Sequence, residues 1–329
     1  MARKRRPKVT EKDLQGLKYF RLLTPLLERL HDAGTARDRA GNRKLFFDQY
    51  GALILLYFFN PILTSLRGIQ QASSLEKVQR QLGCGRNSLG SLSEASRVFD
   101  AALLEPLIAE LANQAVPLQS GKEAEALRGL TATDGSLLPA LPKMAWALWL
   151  DDQHRAAKLH LQFDVFKGVP LQASVTAGND SETAQLRATV QPGRLYVIDR
   201  GYAEYQLFQD IVDARSGFIG RVRDNAVYQI IEERPLSAEA RQAGVLRDRV
   251  VWLGGDQSGK VLRQPLRLLE VATGKTDSQG RPEILLLASD RLELEAALIA
   301  LGYKYRWTVE IFHPNYPSSD RLYCGSWAA

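Results

Sequence analysis

The chain has 329 residues, 45% of them apolar, and a formal net charge of +6; that is enough to bury a sizeable core in roughly two domains of about 100–200 residues, with a charge excess that favours a polyanionic partner, nucleic acid first. Cys84 and Cys324 are too far apart and too unlike any ligand spacing for a disulfide framework or a zinc site, which points to a reducing compartment. The most apolar run, Tyr50 to Phe59, falls well short of the about 20 residues that span a membrane, and the opening MARKRRPKVT lacks the apolar region of a signal peptide, so a cytoplasmic protein is expected.

Residues 1–12 form a basic tail in which Arg3, Lys4, Arg5 and Arg6 can either neutralise phosphates or simply be solvated. Residues 13–120 read as helices, with apolar residues three and four apart in LKYFRLLTPLLERLHD, LFFDQYGALILLYFFN and ASRVFDAALLEPLIAEL. Asn60-Pro61 ends the second of these, and the Pro117 and Gly121 neighbourhood marks a boundary. Between them, a helix from Ser73 to Leu82, a tight Gly83-Cys84-Gly85 turn and a second helix opening at Asn87 or Ser88 resemble a helix-turn-helix, which would present Arg86, Ser91, Ser93 and Arg97 to DNA. An ordinary helical hairpin has the same pattern.

After residue 128 the pattern changes to strands. LTATDGSLLPAL is a short β-type run with Asp134 at its end, KLHLQFDVFKGVPLQASVTAG is a hairpin turning at Lys167-Gly168, and Leu195 to Ile198 is a buried strand ending in Asp199. A helix from Ala203 to Ala214 and a strand from Gly217 to Val222 follow, which together give a mixed sheet with helices packed on it. His154, His160 and Lys158 fall near the sheet's active edge, but neither histidine has a metal-ligand spacing and both read as structural. Strand ends are where α/β sheets place their chemistry. An aspartate alone at such a place is more often a helix cap, but Asp134, Asp199 and a third carboxylate, Glu310, could together hold two Mg²⁺ ions about 3.5–4 Å apart, the spacing that clamps both oxygens of an in-line phosphoryl displacement.

The blocks ATDGS, VIDRGY and YKYRWTVEIF, in that order, resemble the catalytic blocks of insertion-sequence DDE transposases, in the insertion-sequence-four branch whose third block carries the YREK signature. KLHLQFDVFKGVPLQASVTAGNDSE and FIGRVRDNAVY add lesser similarities. The signature here reads Tyr303, Arg306 and Glu310, with Pro317 where lysine is expected.

The resemblance implies an α/β fold: an RNase H-like core (first part 128–226, third-carboxylate helix 291–312) interrupted by a β-rich insertion (227–290) and preceded by an all-α DNA-binding domain. The runs AVYQIIEERPL, DRVVWLGG, VLRQPLRLLEVAT and EILLLASD independently read as strands in that interval. It further implies metal-dependent strand cleavage at inverted-repeat element ends and strand transfer to target DNA by a homodimer at the bacterial nucleoid, with Mg²⁺ (or Mn²⁺) on Asp134, Asp199 and Glu310. Tyr303 and Arg306, on the helix face of Glu310, would bind a phosphate, and Arg200 and Tyr202 are further candidates for DNA contact; plain core packing is the alternative for Tyr303 and Trp307. The tail 313–329, with Pro314 and Pro317, matches no helical period, so a frameshift or truncation after Phe312 is expected. The alternative is an inactive, DNA-binding remnant that inhibits transposition.

Overall fold

The computed structural model describes residues 9–33, 41–139, 156–254, 261–276 and 280–308. Arg3, Lys4, Arg5, Arg6, His154, Glu310 and the tail 313–329 lie outside them. The chain divides into two compact units, Met1–Leu107 and Ile108–Ala329.

In the first unit, helices α1 (Phe20–Glu28), α2 (Phe47–Phe59), α3 (Leu66–Ala72), α4 (Glu76–Leu82) and α5 (Leu89–Val98) surround one apolar core. Leu53 and Leu56 of α2 are fully buried at its centre. Asn60 ends α2, its amide donating back to the Leu56 carbonyl at 2.8 Å while its oxygen accepts from the Gln15 amide at 2.6 Å. The helix expected from Ser73 starts only at Glu76, because the Ser73 hydroxyl accepts the buried amide of Asn87 at 3.1 Å and Leu75 is extended. Gly83 then turns the chain at φ +62, a conformation that other residues adopt at a cost, and the Ser88 hydroxyl caps α5 by accepting from the Ser91 amide at 3.0 Å. Burial pushes the Cys84 thiol up to about 11.

After α6 (Glu105–Gln114), which contains the division, and α7 (Lys122–Ala126), the second unit is built on one mixed sheet. Its strands are β1 (Leu130–Pro139), β2 (Ala156–Asp164), β3 (Val169–Ala177), β4 (Leu195–Ile198), β5 (Gly217–Arg221), β6 (Tyr228–Glu233), β7 (Val245–Leu253), β8 (Leu266–Thr276) and β9 (Pro282–Ser289), in the order β3-β2-β1-β4-β5-β9-β8-β7-β6. Only β1, β4 and β5 run parallel to one another. From β5 the chain crosses to the far edge and meanders back until β9 pairs antiparallel with β5, so the four strands β6–β9 extend the same sheet.

Alternating side chains give the sheet two apolar faces. On one, Leu130, Ala132, Val197 and Ile219 pack with Ile299, Ala300 and Tyr303 of α11 (Ala296–Lys304) and Ala240 of α10 (Ala238–Gln242). On the other, Tyr196, Ile198 and Phe218 pack with Leu186 of α8 (Glu182–Thr189) and Leu207, Phe208 and Ile211 of α9 (Tyr205–Asp213). Helix α11 lies so close to β5 that a Cβ on Gly302 would stand 2.7 Å from the Ile219 Cδ1 atom. The helix expected to run through Tyr303 and beyond is interrupted: α11 ends at Lys304 and tightens into a 3-10 turn over Tyr305–Trp307.

The meander also aims α11. Arg267 of β8 and Asp248 of β7, 3% and 4% exposed, form a two-pronged ion pair, Nε to Oδ1 at 2.7 Å, and the Arg267 guanidinium donates onward to the carbonyls of Leu292 and Leu294 in the segment entering α11. Removing one partner leaves a buried charge uncompensated, whereas removing both does not. Arg267→Leu is therefore expected to cost about 3–5 kcal/mol in chemical denaturation, and Asp248→Leu/Arg267→Leu less than the single change.

Candidate active site

The β1–β4 register pairs Ala132 with Val197, and the β4–β5 register pairs Ile198 with Gly220. Carried on, the first sets Asp134 beside Asp199 and the second sets Asp199 beside Arg221. Two carboxylates and a guanidinium thus stand level on three adjacent strands. Each lies two residues past a member of the α11-side core, Ala132, Val197 or Ile219, and Asp199 is still extended at φ −87 and ψ −177, so all three project from the α11 face. Asp134 is the fifth residue of β1 rather than its end, because the ladder with β2 continues through Asp134↔Leu161 to Pro139. The parallel ladder on the β4 side stops at Ala132. That flank is open where Asp199 arrives.

Both carboxylates are partly exposed. Asp134 Oδ2 accepts from the Ser136 hydroxyl at 2.8 Å and Asp199 Oδ1 from the Gly201 amide at 2.7 Å. Among the described residues neither has an ion-pair partner within 4.0 Å, and the Arg221 Nε, although buried, has no hydrogen-bond partner. Adjacent strands lie about 4.7–4.9 Å apart; two unneutralised carboxylates at that spacing repel each other and form an all-oxygen donor set of the kind that Mg²⁺ takes. They fit such an ion. No group of three possible ligands forms among the described residues, and the third expected carboxylate, Glu310, lies outside them.

The other expected site residues fall into different environments. Arg306 is 7% exposed; its guanidinium donates to the Tyr303 hydroxyl and stacks over the Trp307 ring at 4.3 Å. Tyr303 is 6% exposed and is pushed above the usual phenol range by burial, with the charges of Arg306, Arg221 and Asp199 all within reach of its hydroxyl. Tyr303 thus lies near Asp199, on the side from which α11 packs, with Arg306 at its hydroxyl. Trp307, read as core, is 48% exposed. Arg200 is open to solvent, with Asp224 at 4.0 Å. Tyr202 is buried, and burial, with the charges of Glu182, Asp134 and Asp199 near its hydroxyl, pushes its phenol far above the usual range. In the first unit Arg86, Ser93 and Arg97 are exposed and Ser91 is half-buried. His160 is bonded to the Thr176 hydroxyl at 2.8 Å, and burial lowers its pKa, so it stays neutral.

Two site residues escaped the sequence reading. Arg221 closes FIGRV, and only the β4–β5 register reveals that it stands level with Asp199. Glu182, the first residue of α8, pairs with Lys158 Nζ at 3.2 Å and lies over Gly135, where a Cβ would stand 2.7 Å from its Oε1. A cavity of about 20 Å³, the size of a single water, touches Thr133, Asp134, His160, Glu182, Gln185 and Tyr202. The usable signal was the glycine after Asp134, which marks a close approach.

The family model described as the transposase DDE domain matches residues 125–314, more than half of the chain. A protein of Sinorhizobium fredii named "Putative transposase y4zB" is 28% identical over 245 residues, which cover 74% of this chain and 63% of that protein, so the match spans less than two thirds of the relative's length. The cryo-EM structure of the piggyBac transposase synaptic complex with hairpin DNA superposes with a TM-score of 0.43 at 11% identity, covering 92% of this chain and 68% of that one.

Tyr303→Phe, which removes the hydroxyl beside the Arg306 guanidinium, is expected to lose about 1.5–3 kcal/mol in chemical denaturation, the range for a hydrogen bond to a charged group. Arg200→Ala, on the surface, is expected to stay within about 0.5 kcal/mol of the parent chain.

Proposed function

Because the chain belongs to the transposase DDE domain family, we propose that it is an insertion-sequence DNA transposase of the YREK branch, with an RNase H-like core, which cleaves DNA at inverted-repeat element ends and joins the freed ends to target DNA. The observation that carries this reading is the level placement of Asp134 and Asp199 on adjacent parallel strands, with Arg221 next to them and Tyr303 and Arg306 behind. In the first step a water oxygen bonds to phosphorus and the P–O3′ bond breaks, which frees a 3′ hydroxyl. In the second that hydroxyl attacks a target phosphodiester and displaces its 3′ oxygen, so the number of phosphodiesters is unchanged.

Asp134, Asp199 and Glu310 would hold the ions, two Mg²⁺ with Mn²⁺ able to substitute; when bound, they supply Lewis-acid polarisation of the phosphoryl oxygens and a nucleophile available at neutral pH. The chain's own groups do the rest. Arg221 offers its guanidinium to a phosphate lying along the strand ends, a match that planar donors make well. Arg306, at the Tyr303 hydroxyl, would hold that ring against the sheet. Arg200, exposed on the turn after Asp199, would meet the DNA backbone. Arg86 and Arg97 about α5, together with Arg3, Lys4, Arg5 and Arg6, would supply sequence-independent phosphate contacts to double-stranded DNA. A homodimer would serve the paired ends.

The test is nicking of a supercoiled plasmid bearing the element ends. Cleavage is expected to require Mg²⁺ or Mn²⁺ and to fall to background in Asp134→Asn, Asp199→Asn and Glu310→Gln, because each change removes one charge from the ion-holding set. Activity surviving in one of them removes that residue from the site, and activity in chelator removes the reading.

A further inference from the structure

On the face of the sheet opposite the carboxylates, a chain of polar contacts ends at the turn that carries Asp199. Tyr202, three residues after Asp199 in the 3-10 turn Arg200–Tyr202, is 4% exposed and lines with Glu182 the water-sized cavity beside Asp134, with the Glu182 carboxylate on the side of its hydroxyl. Glu182 is held from β2 by Lys158, whose ammonium is 3.2 Å from its Oε1 and donates to the Asp180 carbonyl at 2.9 Å. The carboxyl of Glu182 rests on Gly135, the neighbour of Asp134, with its Cδ 2.5 Å from where a Cβ would be. The chain therefore links β1 next to Asp134, β2, the start of α8 and the Asp199 turn. A carboxylate so near two others is electrostatically unfavourable, and apolar side chains would pack there at lower cost. What the polar chain supplies in return is fixed geometry.

We propose that Glu182 is a positioning residue: by accepting from the Tyr202 hydroxyl while Lys158 holds it over Gly135, it clamps the Asp199 turn to β1 and keeps Asp199 level with Asp134. Glu182 does not touch the ion, since it approaches from the α8 face while the two aspartates project from the α11 face. Partners of this kind, behind the residues that meet a metal, typically change its affinity by 10–100-fold when removed. The proposal rests on the cation site described under the proposed function.

The experiment is a Mn²⁺ titration of the full chain without DNA, at constant ionic strength, read as the rise in thermal midpoint, with circular dichroism to confirm the fold of every variant. Tyr202→Phe and Glu182→Leu are expected to move the Mn²⁺ concentration giving half the rise upward by about tenfold or more. Glu182→Gln, which keeps an acceptor for the tyrosine, is expected to stay close to the parent, and Tyr202→Phe/Glu182→Leu to be no worse than either single change. A half-point unmoved in folded Tyr202→Phe and Glu182→Leu overturns the proposal, because a merely structural contact would lower the midpoint without shifting the metal dependence. Glu182→Gln as impaired as Glu182→Leu also overturns it, by making the charge itself a ligand. Asp199→Asn separates the two claims: a Mn²⁺ response that survives there removes the cation site, and this proposal with it.

Discussion

The parallel register of β1, β4 and β5 is the constraint on which the rest depends. A sheet alternates its side chains with a period of two, so slipping one strand by one residue would send its whole set to the other face. Here one register does two things. It buries Ala132, Val197 and Ile219 against α11, and two residues further it raises Asp134, Asp199 and Arg221 together on the same side. The core therefore enforces the face on which the site stands: a one-residue slip of any of the three strands would turn its charged residue away from the others and its apolar residues out of the α11-side core.

The other elements hold this arrangement from three directions. Helix α11 closes over the apolar row, with Gly302 against Ile219, and delivers Tyr303 to the neighbourhood of Asp199. The strands β6–β9, remote from the carboxylates in the sheet order, contribute through the Arg267–Asp248 pair that seizes the segment entering α11. From the opposite face, α8 supplies Glu182 to the tyrosine of the Asp199 turn. The site's charge is thus distributed around the sheet, with the aspartates themselves left without an ion-pair partner among the described residues, Lys158 paired with Glu182 on one face and Arg221 with its Nε unsatisfied on the other.

Much of this was legible in the residues because it follows from local period. The four apolar residues Leu195 to Ile198 form β4 as expected, and Gly217 opens β5. The turn at Lys167-Gly168 forms with Gly168 at φ +67. Pairing was not legible. Asp134 looked like a strand end because its run loses its alternation at Gly135 and Ser136, yet the partner strand β2 carries β1 on to Pro139. The burial of Tyr202 and Tyr303 was not legible either: one follows Asp199 in a short turn and the other shares a helical period with Glu310, and neither pattern tells a ring packed inward from one facing solvent. Arg221 and Glu182 become site residues only through neighbours that are distant in sequence: β4 for the first, Gly135 and Tyr202 for the second. The tightening of the chain at Tyr305–Trp307 likewise has no period that announces it.

The central claim is that Asp134 and Asp199 present one cation site on the α11 face. Crystals of the full chain soaked in Mn²⁺ and measured for anomalous scattering test it most directly. The account predicts anomalous density at Asp134 and Asp199 on the α11 side of the sheet, with Glu182 not among the ligands; a peak held by Glu182 on the α8 side, or full soaking with density at neither aspartate, would contradict it.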